Sequence, residues 1–163
     1  MVTAETLAHF EVFEGLPDNA LQAIVPLCRE VSFASGTKIF TMGHLADRIY
    51  LLLEGTVRLT IHATALPEPM TITVINTPDR VLGWSAIIGS GHYSSTALAV
   101  TDVRAIAIDG HALMDFLNQN PCDGYVVMMR VAQVISQRLG AMRKLLLETV
   151  IDYEKPATAT AEN

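Results

Sequence analysis

A stretch rich in glycines and hydroxyls near the middle of the chain offers residue types that hold small ligands. It reads LGWSAIIGSGHYSSTA and spans residues 82–97. A glycine turn followed by a short apolar run predicts one turn of helix, and the free backbone amides of such a turn can bind an anion. The stretch has no Lys, Arg, Asp or Glu, which leaves hydroxyls, rings and amides for binding. The candidate ligand-binding residues are Gly83, Trp84, Ser85, Ala86, His92, Tyr93, Ser94 and Ser95.

Each of these residues also has an ordinary structural explanation. Serines that precede a strand are common turn residues, and a histidine in a glycine loop is usually exposed to solvent. Trp84 is the only tryptophan, and the usual role of a tryptophan is packing in a core. A binding loop and a purely structural loop therefore both remain open at this point.

The sequence contains no recognisable catalytic or metal-binding arrangement. A metal-binding β-roll enzyme needs a His-x-His pair, a carboxylate and a third histidine, but Leu45 and Ala46 follow His44. A serine nucleophile needs a G-x-S-x-G turn, whereas residues 83–87 read GWSAI and lack the second glycine. We therefore expect a protein without enzyme activity, bound metal or cofactor.

The composition favours one globular domain that does not bind nucleic acid. The chain has 163 residues, of which 50% are hydrophobic and 17% are charged, enough for a substantial core. Its formal net charge of −6 gives no sign of the basic surface that neutralises phosphates. Arg138, Arg143 and Lys144 cluster late in the chain, and we interpret them as a solvated helix face.

The cysteines and the hydropathy pattern favour a cytoplasmic location. Cys28 and Cys122 form no CxxC pair and no disulfide framework, so we expect buried, inert thiols in a reducing compartment. The first residues carry acids and no long apolar core, unlike a signal peptide. No apolar run reaches the length of a membrane span, so we expect no contact with a membrane.

The elements around the loop change from helical to strand periodicity and back. Residues 3–30 predict two helices, the first ending near Gly15 and the second opening at Pro17 and Asp18. Short strands with regular turns then predict a β-sandwich or barrel. They fall at residues 31–41, 48–53, 57–61, 70–75, 95–100 and 103–108, with a loop at 63–69. A short helix is predicted at residues 110–120, where Pro121 stops it.

A long helix is predicted from Asp123 to about Asp152, and it carries two apolar stripes. A heptad stripe suits a partner helix and consists of Met128, Ala132, Ile135, Leu139, Met142, Leu146 and Thr149. A second stripe suits the barrel and consists of Val127, Val131, Val134 and Leu145. Because a helix of this length extends past a small barrel, we expect a homodimer. Both stripes can also serve an intramolecular core.

The order of helices, strands and long helix, together with one segment, resembles the cyclic-nucleotide-binding domain family, the sensor half of catabolite-activator regulators. The segment is FASGTKIFTMGHLADRIYLLLEGTVRL at residues 33–59. The matching positions are Phe33, Gly36, Ile39, Gly43, Ala46, Asp47, Ile49, Tyr50, Gly55 and Val57. In that fold the three glycines suit turns with positive φ, and Ile39, Ile49 and Val57 face the barrel interior.

The resemblance covers about residues 10–150 and implies the fold class. It is α+β, mainly β: a β-roll, or double-stranded β-helix, with N-terminal helices and a long C-terminal dimerisation helix. We expect one domain at residues 1–153 and a disordered tail at 154–163. Too few residues follow Tyr153 for a helix that reads DNA, so we expect no nucleic-acid partner.

The resemblance also places the family's phosphate-binding cassette on residues 82–97, called the cassette below. In the family, a glutamate after the glycine binds the ribose hydroxyl, and an arginine before the next strand pairs with the phosphate. Here Trp84 stands at the glutamate position, and the arginine position falls on Tyr93, or on Ser94 if the loop shifts by one. A charged hydrogen bond contributes about 1.5–3 kcal/mol, so cyclic AMP and cyclic GMP should lose roughly a hundredfold or more in affinity.

The sequence thus predicts a non-enzymatic regulatory module with a degenerate cassette. It senses another small ligand, for which an anion is compatible, or passes a signal to a protein partner. The resemblance implies that ligand in the cassette repositions the long helix, provided that the ligand binds the two arrangements differently. The alternative is a ligand-free dimeric scaffold or protein-interaction module, in which Trp84 closes the pocket.

Overall fold

The computed structural model describes residues 1–62, 68–89 and 91–154. The helices are α1 (Ala4–Ala8), α2 (Asp18–Ile24), α3 (Gly110–Gln119) and α4 (Pro121–Glu154). The strands are β1 (Cys28–Phe33), β2 (Lys38–Phe40), β3 (Arg48–Glu54), β4 (Val57–Ile61), β5 (Met70–Ile75), β6 (Val81–Leu82), β7 (Thr96–Ala99) and β8 (Val103–Asp109). Short 3₁₀ turns occupy Val25–Leu27 and Trp84–Ala86.

The strands form two antiparallel four-stranded sheets with a shared apolar interior. Their strand orders are β1-β8-β3-β6 and β2-β7-β4-β5. Residues from both sheets pack into one buried cluster, and the space they fill is called the roll interior below. With helices before and after the strands, this is the mainly β, α+β fold that the sequence predicts.

The central strands β3 and β8 of the first sheet are buried on both faces, which explains the unbroken apolar run of β3. Ile49 packs with the helices, whereas its neighbour Tyr50 points into the roll interior. Strand β8 follows the same division, with isoleucines towards the helices and alanines towards the roll interior. The expectation that Ile49 faces the interior is therefore wrong, while Ile39 and Val57 do face it.

Two helix boundaries differ from the prediction. Helix α1 ends at Ala8 rather than near Gly15, and the buried Phe10 and Phe13 lie in turns that follow it. Two buried rings three residues apart thus belong to turns rather than to a continuing helix. Pro121 does not only end α3 but also opens α4, because its fixed φ and missing N–H suit the first position of a helix.

Two strand boundaries differ as well. Strand β1 begins at Cys28, inside the stretch predicted to be helical, and pairs along its length with β8. Strand β6 has two residues, which the sequence pattern does not predict, and it pairs with β3 at Tyr50 and Leu51. Because the cassette begins at the end of β6, this short strand fixes where the cassette leaves the sheet.

Helix α4 packs one apolar stripe against the fold and leaves the other only partly exposed, because two of its first three members also pack against the core. The inward residues Val127, Val131 and Val134 are 0%, 1% and 4% exposed. On the heptad stripe, Leu139 and Leu146 are 66% and 53% exposed. The prediction that the valine stripe packs on the domain is therefore confirmed.

Some predictions fall outside the described part of the chain. The side chains of Leu145 and Thr149, residues 63–67 of the predicted loop, and the expected tail after Glu154 belong to this group. Within the described ranges, none of the helices is long and apolar enough to cross a membrane.

Gly55→Ala is expected to destabilise the fold more than Gly36→Ala. The φ angles are 98° and 84°, so alanine strains the backbone at both positions. A Cβ at position 55 would collide with the carbonyl oxygen of Asp102, whereas a Cβ at position 36 meets nothing within 4 Å. We expect an extra loss of about 1–3 kcal/mol in the free energy of unfolding, measured by urea denaturation. Equal losses in the two variants would contradict the tight turn between β3 and β4.

Candidate functional site

The cassette begins with a glycine in the left-handed conformation. Gly83 has a φ of 72°, and a Cβ there would lie 3.0 Å from the carbonyl oxygen of Arg48 and 3.1 Å from the ring of Tyr93. Trp84–Ala86 then form a 3₁₀ turn, in which the Ile87 N–H donates to the Trp84 carbonyl oxygen at 2.9 Å. The predicted glycine turn and short helical turn are therefore confirmed.

The cassette encloses a cavity of about 10 Å³, which is room for about one water molecule. Its lining consists of Phe40, Leu59, Gly83, Trp84, Ser85, Tyr93, Ser94, Ser95 and Arg138. Six of the eight predicted ligand-binding residues are thus brought together. The other two are not part of this lining, since Ala86 lies against Gly110 and His92 is exposed. Ser90, a further hydroxyl of the cassette, lies outside the described residues.

Tyr93 is a core residue whose ring occupies the cassette. It is 5% exposed, and its ring stacks on that of Phe40 with centroids 4.2 Å apart and planes inclined by 15°. Its hydroxyl donates to the carbonyl oxygen of Arg48 at 2.9 Å and accepts from the Arg48 N–H at 3.3 Å. Burial raises the pKa of Tyr93, so the hydroxyl remains a donor at neutral pH. The position to which the resemblance assigns an arginine thus joins two parts of the roll.

Aromatic rings and alanines share the roll interior. Tyr50 lies between Phe40 and Phe33, with ring centroids 6.0 Å from each. The strands that pair with β2 and β3 carry small residues at their buried positions, namely Ala97, Ala99, Ala105 and Ala107. These small side chains leave width for the four rings of the cluster, which belong to Phe33, Phe40, Tyr50 and Tyr93.

Arg138 is the part of the site that the sequence interpretation missed. Its guanidinium carbon lies 4.4 Å from the centre of the Trp84 ring, a cation–π distance. Its Nη2 donates to the carbonyl oxygen of Val81 at 2.6 Å. Burial lowers the pKa of Arg138 to about 10, which still leaves the group charged at neutral pH. The interpretation of Arg138 as a solvated residue is therefore wrong, although Arg143 and Lys144 are exposed.

The helical spacing of the sequence could have predicted that Arg138 faces the fold. It follows Val134 by one turn and so continues the inward stripe of Val127, Val131 and Val134. A cation on the buried stripe of a helix needs a carbonyl, a carboxylate or a ring as partner. Here the partners are one carbonyl and one ring of the cassette, so α4 is tied to the cassette at this point.

The described residues offer no cluster of metal ligands, and the two cysteines lie apart in different environments. In residues 1–62, 68–89 and 91–154, no group of three or more His, Cys, Asp or Glu side chains is placed to hold a metal ion. Burial raises the pKa of the Cys28 thiol to about 12, and its Sγ donates to the carbonyl oxygen of Ile24. The expectation of two buried thiols is wrong for Cys122, which is exposed at the start of α4.

Comparison with known sequences identifies similar regulatory domains. The sequence model described as "Cyclic nucleotide-binding domain" matches residues 30–120. The chain is 27% identical over 135 residues to the CRP-like cAMP-activated global transcriptional regulator of Mycobacterium tuberculosis. The matched region covers 83% of this chain and 58% of that regulator, so this chain spans little more than half of the relative's length.

Solved structures share the same architecture. The crystal structure of a protein from Geobacter metallireducens GS-15, described as cyclic nucleotide-binding, is 32% identical with a TM-score of 0.75. That likeness covers 85% of this chain and 99% of the other. A cyclic nucleotide-binding domain from Methylobacillus flagellatus has a TM-score of 0.77 at 16% identity, with 90% and 85% of the chains covered. This last likeness supports the fold alone.

Two substitutions at Tyr93 are expected to distinguish the contribution of its hydroxyl to stability from that of its ring. Tyr93→Phe should lower the free energy of unfolding by about 1 kcal/mol, because the bond to the Arg48 carbonyl is lost. Tyr93→Ala should lower it by about 3–5 kcal/mol, because the stack on Phe40 is replaced by a cavity. Urea denaturation measures both, with Tyr125→Ala at a 68% exposed position as control. A loss for Tyr93→Ala no larger than the control would contradict its place in the core.

Arg138→Met is expected to change the fluorescence of Trp84, the only tryptophan of the chain. Methionine removes the cation over the indole ring and keeps an apolar side chain of similar reach. We also expect a loss of about 1–2 kcal/mol in the free energy of unfolding, because the Val81 carbonyl loses its donor. Arg143→Met, an equal change of charge at an exposed position of α4, is the control. The same emission spectrum in all three proteins would rule out the contact between Arg138 and Trp84.

Proposed function

This chain belongs to the cyclic nucleotide-binding domain family, and we propose that it is a regulatory module whose roll interior is occupied by its own aromatic side chains. In this proposal cyclic AMP and cyclic GMP are not bound through the family's usual contacts, and the protein carries out no catalysis. The observation that carries the proposal is the stack of Tyr93 on Phe40 inside the cassette, with centroids 4.2 Å apart.

The size and the charge of the cassette both support this proposal. Small-molecule sites enclose about 300–1,000 Å³, whereas the cavity of the cassette measures about 10 Å³. The two charged residues that the resemblance assigns to ribose and phosphate are replaced by Trp84 and by Tyr93, or Ser94 if the loop shifts by one. A cyclic nucleotide would have to displace Tyr93 from a buried stack and break its bonds to Arg48 before it could enter.

The same geometry favours the ligand-free form of the module over the ligand-sensing form. Arg138 already contacts Trp84 and the Val81 carbonyl, so α4 is fastened to the cassette by the chain's own groups. No bound molecule is needed to hold that arrangement. In this form the regulatory function is carried by contacts with other protein chains.

A sensor of small anions is the second candidate, and Arg138 is the observation that favours it. The guanidinium lines the cavity together with the hydroxyl-bearing residues Ser85, Ser94 and Ser95. An anion bound there would compete with Trp84 and the Val81 carbonyl for Arg138. Such competition would bias the position of α4, because the ligand would bind the two arrangements with different affinity.

The heptad stripe of α4 supports a homodimer in either form. Its members Leu139 and Leu146 are 66% and 53% exposed, and Leu147, which follows Leu146, is also exposed. Apolar residues at heptad spacing on an exposed helix pair with a second helix, because the pairing removes them from water. We propose that two copies of the chain associate through this stripe.

Restoring the two charged residues of the family tests the proposed loss of nucleotide binding. The double variant Trp84→Glu with Tyr93→Arg should be less stable than the original protein without ligand, because the Tyr93 ring leaves the core. It should nevertheless gain thermal stabilisation by cyclic AMP, whereas the original protein should not. At a cyclic AMP concentration of a hundred times the dissociation constant, the free energy of unfolding should rise by about 2.7 kcal/mol. Trp84→Glu alone is the control, since it lacks the cation for the phosphate. Stabilisation of the unchanged protein by cyclic AMP or cyclic GMP would contradict the proposal.

The change in Tm of the unchanged protein when small anions are added distinguishes the ligand-free form of the proposal from the sensor form. The ligand-free form predicts that chloride, phosphate or carboxylates change the Tm of the unchanged protein no more than they change the Tm of Arg138→Met. The sensor form predicts a rise of several degrees that Arg138→Met abolishes.

Leu139→Asp combined with Met142→Asp is expected to give monomers in sedimentation. The two aspartates place charges on the heptad stripe, where burial against a partner helix would desolvate them. Gln137→Asp is the control, because it adds a charge at an exposed position outside that stripe. If the double variant formed dimers as stable as those of the original chain, the assignment of the dimer contact to the heptad stripe would be wrong.

A further inference from the structure

The outer face of the β2-β7-β4-β5 sheet carries a groove that the cassette does not use. Leu59 points inward to the cassette, so its neighbours Arg58 and Thr60 point to the opposite face of the sheet. The groove encloses about 740 Å³. We call it the outer groove below. Its floor is formed by Lys38, Arg58, Thr60, Thr71, Thr96 and Leu98.

The strand register arranges the charges of the outer groove around an apolar centre. Leu98 of β7 pairs with Lys38 of β2 on one side and with Arg58 of β4 on the other. Neighbouring strands lie about 4.8 Å apart, so the backbones of the two cations are about 10 Å apart, with a leucine between them. The row therefore presents the order cation, apolar side chain, cation.

Neither cation has a partner among the residues that the structure describes. Within the described residues, Lys38 and Arg58 make no ion pair and no side-chain hydrogen bond. By contrast, Arg80 pairs with Glu11, and Arg104 pairs with Glu54. Two unpaired cations on one face stand out in a chain whose formal net charge is −6.

A second cross-strand row adds hydroxyls beside the cations. Thr60 pairs with Thr96 on one side and with Thr71 on the other. The Thr96 Oγ1 accepts from the Met42 N–H at 3.0 Å, and its O–H can still donate to a bound group. The row offers hydrogen-bond donors at the positions where the backbone or the carboxylates of an extended segment would lie.

We propose that the outer groove docks an acidic segment of a protein partner, with one apolar side chain seated on Leu98 between two carboxylates that pair with Lys38 and Arg58. Charge complementarity decides the occupant, because carboxylates pair with these cations and are drawn to them in an otherwise acidic chain. A bare anion is a poorer occupant than a peptide segment, because Leu98 offers apolar area that only an apolar side chain would cover. The inference does not depend on the closed cassette, because the outer groove lies on the other face of the sheet.

Glu68 at the rim of the outer groove adds a further expectation. It contributes a negative charge to the same groove and would repel an acidic segment. Glu68→Gln should therefore strengthen docking by about twofold, the size of an exposed charge pair. The same substitution would weaken docking of a basic segment.

Fluorescence anisotropy with a labelled peptide tests the proposal. The peptide has the core glutamate-serine-leucine-serine-glutamate, whose alternate residues share one face in an extended chain. We expect it to bind the full chain, to lose about tenfold in affinity to the double variant Lys38→Glu with Arg58→Glu, and to weaken as salt is added. Arg143→Glu is the control protein, and glutamine in place of both glutamates gives the control peptide.

Several results would overturn the proposal. They are no binding of the peptide, equal binding of the glutamine peptide, and an equal loss of affinity in Arg143→Glu. A single-stranded oligonucleotide that binds the outer groove as tightly as the peptide would assign the surface to nucleic acid instead. The two substituted cations are exposed and unpaired within the described residues, so the double variant should keep the circular dichroism spectrum of the original chain.

Discussion

Tyr93 stacks on Phe40 inside the roll, and its hydroxyl holds the backbone of Arg48 at the start of β3. The pair joins the cassette to strands of both sheets, because Phe40 belongs to β2 and Arg48 to β3. Stacked rings stabilise a core by about 0.5–1.5 kcal/mol beyond the burial of their area. Gly83 is favoured by this contact, since a Cβ there would lie 3.1 Å from the Tyr93 ring and 3.4 Å from the Phe40 ring. The alanines of β7 and β8 belong to the same buried cluster.

The second consequence of the filled roll is a direct connection between the cassette and α4. Trp84 stands at the position where the resemblance places an acid, and its indole ring receives the guanidinium of Arg138. The Val81 carbonyl, at the strand that leads into the cassette, accepts from the same group. One cation therefore contacts both the entry strand and the turn, and a movement of the cassette would be transmitted to α4 through it. Because α4 also carries the exposed leucines of the heptad stripe, this one helix contacts the cassette through Arg138 and bears the proposed dimer seam.

Much of the fold follows from sequence periodicity, but the state of the cassette does not. Strands β3, β4, β5 and β8 are predictable because turn residues bound their apolar patterns, and Gly83 is predictable as a turn. The first helix is misjudged because Phe10 and Phe13 are spaced as on a helix but are buried from turns. Arg138 is misjudged, and the core contacts of Tyr93 are not predicted, because the partners of both residues lie far away in sequence, at Val81 and Arg48. Long-range contacts of this kind leave no periodic pattern, although the position of Arg138 on the inward stripe gives a hint.

A calorimetric titration of the unchanged chain with cyclic AMP tests the central claim most directly. The claim is that Tyr93 and Phe40 take the space that a cyclic nucleotide would need. It predicts no heat of binding at a dissociation constant tighter than about 10 µM. Binding tighter than this, with the nucleotide located beside Ser85 and Tyr93 in a structure of the complex, would contradict it. Such a result would mean that the aromatic stack opens and that backbone amides hold the phosphate without the family's arginine.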